Sequence, residues 1–157
     1  MKIFALLALT LSSTLAFAAQ PGHPAQPDFS GEWKMNAAKS DFGQLPPPTS
    51  FVRKITQAGP SISIIEEQSA GGANSTTTRK LTTDGKAAPL ELNGMAAACS
   101  AAWQGTDLIL TTAMEGPGLR FTDTMSLSAD RKTLTSKVHI ATPQGEVDVT
   151  VVFERVS

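Results

Sequence analysis

Hydrophobic and polar residues alternate along much of the chain, most clearly in its second half. Because successive side chains of a strand point to opposite faces, this alternation predicts strands that bury one face. The positions between the apolar ones are mostly polar and are predicted to face water. The positions predicted to face inward are Leu108, Leu110, Thr112 and Met114, then Phe121, Met125 and Leu127, then Leu134, Val138 and Ile140, then Val147, Val149, Val151 and Phe153.

Turn signals recur at near-even intervals and separate these strands. They are Gly59-Pro60, Gly71-Gly72, Asp84-Gly85, Asn93-Gly94, Gly105, Gly116-Pro117-Gly118, Ala129-Asp130 and Gln144-Gly145. Residues of this kind close hairpins between neighbouring antiparallel strands. The predicted strands are 29–35, 51–58, 61–69, 74–83, 86–92, 95–103, 107–115, 119–127, 132–142 and 146–155.

A meander of this length must protect its two edges, either by packing on a second sheet or by closing on itself. The sequence therefore predicts an all-β fold, an antiparallel up-and-down meander barrel of about 8–10 strands. Only the connection 36–50 breaks the hairpin pattern. It predicts a short helical turn at 37–40, and the Pro46-Pro47-Pro48 run then favours an extended path across the surface or over a barrel mouth. We expect a spacer there, with a lid or docking role as the alternative.

Three segments are predicted along the chain. Residues 1–18 are typical of a signal peptide, since Lys2 precedes an apolar stretch and Ala16-Phe17-Ala18 offers a cleavage pattern. Residues 19–28 are rich in proline and predict a flexible leader, and residues 29–157 form the barrel domain. No second long apolar run follows, so we expect no integral membrane segment. The protein is predicted to be exported, to the periplasm or the extracellular medium.

Composition narrows the choice of partners. The 13 basic and 14 acidic residues are spread along the chain without long runs, which argues against nucleic acid as a partner. Cys99 is the only cysteine in the sequence, so no intramolecular disulfide can form. Its alanine-rich surroundings predict a small buried core residue, with a reactive thiol or an intermolecular disulfide as the alternative.

Residues of the kinds that carry catalysis or bind metals are few and scattered. His23 lies in the predicted leader and His139 points outward by strand parity, so neither predicts a metal or catalytic site. Glu66 and Glu67 are adjacent and point to opposite faces of a strand, which excludes a cooperating acid and base. We therefore expect a protein that is not an enzyme and has no metal or cofactor.

Motifs at the two ends of the barrel domain carry a family resemblance. Phe29-Ser30-Gly31-Glu32-Trp33 opens the first strand, and Val152-Phe153-Glu154-Arg155 closes the last. Gly31-x-Trp33 together with Arg155 resembles the calycin pattern of lipocalins and fatty-acid-binding proteins, and the whole domain looks like an exported bacterial lipocalin-like protein. The resemblance implies structural roles, in which Trp33 plugs one barrel end and Arg155 packs across it. The alternative is a core tryptophan and a surface arginine that never meet.

The chain departs from this pattern in two places. Thr83-Asp84-Gly85 lacks the aromatic residue of the middle lipocalin motif, and the 36–50 connection is too short for the helical lid of fatty-acid-binding proteins. The resemblance therefore implies the fold more strongly than it implies any particular ligand.

Two charged residues are predicted to face the interior. Glu66 shares the parity of Ile64, and Arg53 shares the parity of Ile55 on the preceding strand. A buried charge is costly unless hydrogen bonds or an opposite charge satisfy it. Arg53 and Glu66 are therefore expected to neutralise each other or to meet the polar head of a ligand. The alternative is that one or both reach solvent at the barrel rim.

Together these features predict a lipocalin-like protein that binds a small hydrophobic ligand in the barrel interior. The alternative is a non-enzymatic interaction module, an inhibitor or an envelope-associated protein, that acts through its loops around a filled core. The sequence does not identify a protein partner for such a module. The predicted ligand-binding residues are Trp33, Arg53, Glu66, Trp103, Leu110, Met114, Phe121, Met125 and Val149.

Overall fold

The computed structural model describes residues 25–116 and 118–156. The predicted signal peptide and most of the predicted leader therefore lie outside the described residues. One 3-10 turn, Ala37–Lys39, lies between the first two strands. The strands found in the described chain are β1 (Gly31–Met35), β2 (Ser50–Ala58), β3 (Ser61–Ala70), β4 (Ala73–Thr82), β5 (Ala88–Leu92), β6 (Met95–Gln104), β7 (Asp107–Met114), β8 (Arg120–Leu127), β9 (Thr133–Thr142) and β10 (Gly145–Arg155).

Neighbouring strands pair antiparallel in the order β4-β3-β2-β1-β10-β9-β8-β7-β6-β5. The first and last strands join, because Trp33 of β1 lies opposite Arg53 of β2 on one side and opposite Arg155 of β10 on the other. The edge strands β4 and β5 share no ladder, although Asp84, just after β4, forms a bridge with Ala102 of β6. The predicted all-β, up-and-down fold is thus confirmed as a nearly closed barrel of ten strands.

The turn between β5 and β6 shows how the sequence sets the hairpin geometry. Asn93 and Gly94 are the two residues between these strands, and their φ angles are +51° and +78°. A turn with both central residues at positive φ matches the twist of paired strands, and Asn-Gly adopts it at low cost. Pro89 lies in β5, where proline is tolerated because one side of an edge strand has no ladder partner.

The barrel interior has a packed half and an open half. On β3, Ile64 is fully buried in the core, whereas Glu66 further along the same face lines a cavity. On the antiparallel β8 the order is reversed, since Phe121 lines the cavity and Met125 lies in the core. The largest fully buried side chains are Trp33, Phe29, Phe153, Ile64, Leu108, Met125, Leu134, Cys99 and Ser136.

No helix among the described residues is long and apolar enough to cross a membrane.

Candidate functional site

The open half of the barrel contains a cavity of about 330 Å³. Inward-facing residues of β2, β3, β4 and β7 to β10 form its walls, and the connection between β1 and β2 contributes the remaining side chains. Most of the lining is apolar. The lining residues are Phe42, Leu45, Pro46, Pro48, Phe51, Arg53, Glu66, Gln68, Arg79, Leu110, Thr112, Phe121, Asp123, Val138, Ile140, Val149 and Val151.

Backbone hydrogen bonds hold the 36–50 connection against β10. Asp41 and Thr150 exchange two bonds of 2.7 Å, N to O in each direction. Further along β10, the backbone N–H of Val152 donates to the Ser40 hydroxyl at 2.9 Å. The start of the connection is therefore an ordered extension of the sheet, and it directs the following residues toward the cavity.

The second part of this connection covers the cavity. Phe42 packs against the hydrophobic core, and Leu45, Pro46 and Pro48 also line the cavity. Pro48 is buried, while Leu45 keeps 40% of its surface exposed. The proline run therefore lies over the barrel mouth, which is one of the two paths that the sequence predicted.

Four charged side chains meet inside the barrel, and we call Arg53, Glu66, Arg79 and Asp123 the charged cluster. Arg53 on β2 and Glu66 on β3 are opposite each other in register, and Arg53 Nη2 lies 2.7 Å from Glu66 Oε1. Arg79 on β4 donates through Nη1 to the other oxygen of Glu66, Oε2. From β8, Asp123 Oδ2 accepts from Arg53 Nη2 at 3.0 Å. The cluster thus links four strands of the barrel.

Side chains of the packed half contact Arg53 and fix its position. Its Nη1 lies 3.0 Å from the sulfur of Met125, and its Cζ lies 5.0 Å from the ring centroid of Phe153. The Ser136 hydroxyl donates to Asp123 Oδ1 and so orients the carboxylate that Arg53 contacts. Arg53 keeps only 3% of its surface exposed, so its geometry is set by these contacts rather than by solvent.

Arg53 and Glu66 keep their charges in spite of burial. Burial disfavours the charge on Arg53, but Glu66 and Asp123 outweigh it and raise the pKa of Arg53. Burial likewise opposes the charge on Glu66, but the guanidinium groups of Arg53 and Arg79 hold the pKa of Glu66 below its ordinary value. The cluster consists of two arginines and two acidic residues, so its formal net charge is zero.

The charges of the cluster cancel, but its guanidinium N–H donors outnumber the hydrogen bonds that they make. The two guanidinium groups carry more N–H donors than the two carboxylates and the Met125 sulfur accept. Within the described part of the chain, the Nε atoms of Arg53 and Arg79 are buried and have no hydrogen-bond partner. The cluster is therefore neutral in charge but rich in donors.

The cavity contains several of the predicted ligand-binding residues. They are Arg53, Glu66, Leu110, Phe121 and Val149. Arg53 and Glu66 form an ion pair with each other, and Glu66 keeps 12% of its side chain exposed. Both side chains therefore lie inside the barrel, as strand parity predicted, and neither reaches solvent at the barrel rim.

Four predicted ligand-binding residues do not line the cavity. Trp33 is fully buried in the packed half, and Met125 lies beneath Arg53. Trp103 packs against Phe29 with a ring-centroid distance of 5.8 Å. Met114 ends β7, beyond the residues of that strand that reach the cavity. Strand parity correctly predicts that these side chains point inward. It does not predict whether an inward side chain lies in the packed half of the barrel or lines the cavity.

Two members of the charged cluster were missed by the sequence analysis. Asp123 lies between Phe121 and Met125 in strand parity, and this signal was sufficient to place it inside. Arg79 shares the parity of Leu81, but the surrounding Thr-rich strand has weak sidedness. Gln68 also lines the cavity, and it shares the strand parity of Glu66, so the same signal was sufficient to place it inside. No periodic pattern reveals the residues of the 36–50 connection.

The residues with predicted structural roles meet at the packed end of the barrel. The Trp33 indole donates from Nε1 to Phe29 O at 2.9 Å, and the Arg155 Cζ lies 4.1 Å from the Trp33 ring centroid. Gly31 has a φ of +142°, and a Cβ at this position would overlap Arg155 Nη1. The three residues therefore fit together as one unit, and the alternative of a tryptophan and an arginine that never meet does not describe them.

The remaining titratable candidates lie outside the cavity. His139 is on the outer face, where its Nδ1 is 2.8 Å from Asp148 Oδ1. Glu67 points away from the interior and bonds to Lys54 at 2.9 Å. His23 lies outside the described residues.

No protein-family profile and no curated protein matches the chain. Solved structures do match. Zebrafish ileal bile acid-binding protein complexed with cholic acid is 17% identical, with 82% of this chain and 98% of that chain covered and a TM-score of 0.60. Human cRBP IV is 16% identical, with 83% and 99% covered and a TM-score of 0.56.

A third similar structure is a secretory abundant heat soluble protein from Ramazzottius varieornatus. It is 10% identical, with 82% of this chain and 95% of that chain covered and a TM-score of 0.64. At these identities the likeness shows a shared fold, the antiparallel up-and-down β-barrel.

Proposed function

We propose that this chain binds a small hydrophobic ligand in the cavity of the barrel. The observation that carries the proposal is the division of the interior. In one half, side chains such as Phe153 and Leu134 are packed so closely that they have no exposed surface. The other half contains a cavity of about 330 Å³. An apolar cavity with one group of polar side chains is the usual form of a small-molecule site.

The fold supports this proposal in a second way. The similar zebrafish protein is complexed with cholic acid, a small molecule. The alternative, an interaction module, requires a filled core, whereas this interior keeps a cavity of about 330 Å³. The loop that would serve as the interaction surface contributes Phe42, Leu45, Pro46 and Pro48 to the cavity lining.

The charged cluster gives no support to a catalytic role. A general base needs a carboxylate that can accept a proton from a substrate. Glu66 is held between two guanidinium groups, and Asp123 is bonded to Arg53 and Ser136. We therefore propose binding without chemistry.

A matched pair of variants on β10 tests the cavity as the binding site. Val149→Phe adds bulk inside the cavity, and Val152→Phe makes the same change on the outward face of the same strand. Isothermal titration with a fatty acid, retinol and cholic acid would measure binding. We expect Val149→Phe to weaken any wild-type binding by about tenfold or more, because the added ring occupies ligand space, and Val152→Phe to retain it.

Two results would contradict this proposal. A folded wild-type protein that binds none of these compounds would remove its basis. A folded Val149→Phe variant that binds as tightly as wild type would place the ligand outside the cavity.

We also propose that the protein is exported to the periplasm or the extracellular medium, on the basis of residues 1–18. Expression in a bacterial host, cell fractionation and N-terminal sequencing would test this. The expected mature chain begins at Ala19. A cytosolic product that retains Met1 would contradict export.

A further inference from the structure

The charged cluster also indicates what kind of head group the ligand carries, an inference that rests on the proposed binding function. Arg53, Glu66, Arg79 and Asp123 are the only charged residues that line the cavity, among the described residues. Their charges cancel, so the cavity as a whole is neutral.

The contacts within the cluster leave no free charge for a ligand to pair with. Arg53 Nη2 lies within 3.0 Å of both carboxylates, at 2.7 Å from Glu66 Oε1 and 3.0 Å from Asp123 Oδ2. Arg79 donates to the second oxygen of Glu66. A carboxylate ligand would therefore have to compete with Glu66 or Asp123 for its partner, and it would add a third negative charge to a poorly solvated space.

An ammonium head group meets the opposite difficulty. Both carboxylates are already paired with guanidinium groups, so an ammonium would be placed beside Arg53 and Arg79 without a free anion. A buried charge that lacks a counter-charge costs several kcal/mol in a protein interior. Neither sign of charge is therefore accommodated by this arrangement.

Among the described residues, the atoms of the cluster that are buried without any hydrogen-bond partner are donors. The guanidinium groups have more N–H donors than the contacts within the cluster use. The Nε atoms of both arginines have almost no accessible surface, so the donors that a ligand can reach are the remaining Nη N–H groups, above all those of Arg79, whose side chain keeps 14% of its surface exposed. Arg53 keeps only 3% of its surface exposed, and both arginines line the cavity. A ligand that offers an acceptor oxygen would use these donors without adding charge.

We infer that the ligand has an apolar body and an uncharged head group with an acceptor oxygen, such as a hydroxyl, an ester or an amide carbonyl. The head group lies at the charged cluster, and the apolar body lies along Phe121, Ile140 and Val149 toward the loop side chains of Phe42 and Pro48. Free fatty-acid anions and amines are the disfavoured classes.

A series of ligands with one chain and different heads tests this inference directly. Decanol, methyl decanoate, decanoate and decylamine would be titrated calorimetrically into the wild-type protein at neutral pH. We expect decanol and methyl decanoate to bind at least about tenfold more tightly than the two ions. Tightest binding by decanoate or decylamine, or equal affinity for all four, would overturn the inference and leave the proposed function intact. Failure of all four to bind would instead contradict the proposed function.

Adjacent glutamates supply a variant and its control. Glu66→Gln removes one negative charge from the cluster, whereas Glu67→Gln makes the same change on the outer face, where Glu67 bonds to Lys54. We expect Glu66→Gln to raise the affinity for decanoate relative to decanol by about tenfold or more, and Glu67→Gln to leave the ratio unchanged. A folded Glu66→Gln variant with the wild-type ratio would overturn the inference.

Asp123→Asn provides a second test of the same charge change. It alters the carboxylate on β8 rather than the one on β3, so a folding defect in one variant does not prevent measurement with the other. The same rise in the ratio of decanoate to decanol affinity is expected. A folded Asp123→Asn variant that keeps the wild-type ratio would count against the neutral cluster as the source of selectivity.

Discussion

Arg155 closes one end of the barrel through three contacts. Its Cζ lies 4.1 Å from the ring centroid of Trp33, Nη1 donates to Ser30 O at 2.8 Å, and Nε donates to Arg131 O at 3.0 Å. A planar guanidinium can stack on an indole and donate within its own plane at the same time, which an ammonium cannot do. The absence of a Cβ at Gly31 leaves the space that this guanidinium occupies.

Replacement of Arg155 separates the effect of charge from that of stacking. Arg155→Met is expected to lower the free energy of unfolding by about 2–3 kcal/mol, because the cation–π contact and two hydrogen bonds are lost. Arg155→Lys keeps the charge but not the planar geometry, so most of this loss is expected to remain. Urea denaturation followed by tryptophan fluorescence would measure both. Wild-type stability in Arg155→Lys would show that charge alone accounts for the effect.

At the scale of elements, the 36–50 connection acts as a cover for the cavity. Its first part pairs with β10 through Asp41 and Thr150, and its second part places Phe42 and Pro48 over the open half of the barrel. A ligand that leaves through this mouth must displace these side chains. Under the proposed function, the connection would therefore set the rate of ligand exchange as well as enclose the ligand.

Phe42→Ala tests the cover without touching the charged cluster. Loss of the ring opens the mouth and removes a contact to the ligand, so the dissociation rate is expected to rise by about tenfold. Gln44→Ala, at an exposed position of the same loop, is expected to dissociate at the wild-type rate. Stopped-flow displacement would measure the rates. An unchanged rate in Phe42→Ala would mean that the ligand leaves by another route, such as the edge between β4 and β5.

The sequence predicted some elements better than others, for physical reasons. Each strand, β4 included, was predicted with ends within two residues of those observed, but the inward face was clear only in strands with regular alternation, such as β7 and β10. β4 carries the run Ser75-Thr76-Thr77-Thr78, in which both faces are polar, so periodicity could not show which face is inward. Arg79 was overlooked for this reason, although its guanidinium belongs to the charged cluster.

At the scale of the whole molecule, closure of the barrel followed from the turn spacing, but the state of its interior did not. Arg53 and Asp123 are 70 residues apart in sequence and meet only because β2 and β8 face each other across the barrel. Side-chain parity says that both point inward without saying that they touch. Whether a layer is packed or open depends on all the strands that contribute to it, so a single sequence could not divide the interior into a core and a cavity.

The charged cluster makes the stability of the whole barrel depend on pH. Burial alone would raise the pKa of Glu66, but Arg53 and Arg79 outweigh it, so the folded-state pKa lies below the unfolded-state value of about 4.3. A carboxylate of this kind stabilises the folded state fully above its unfolded-state pKa. Its contribution is lost as the pH falls toward the folded-state pKa. The urea midpoint is therefore expected to hold steady at neutral pH and to fall below about pH 4.

The part of this acid sensitivity that belongs to Glu66 is measured by difference, because exposed carboxylates such as Asp84 and Glu154 also have lowered pKa values. Glu66→Gln is expected to be about 3 kcal/mol less stable than Glu67→Gln at neutral pH, since Arg53 and Arg79 lose a shared counter-charge. The difference in the free energy of unfolding between the two variants should decrease as the pH falls. The reason is that the Glu67→Gln protein still contains Glu66, and acid neutralises this carboxylate. A gap that stays constant down to acid pH would mean that Glu66 stabilises the barrel through packing rather than through its charge.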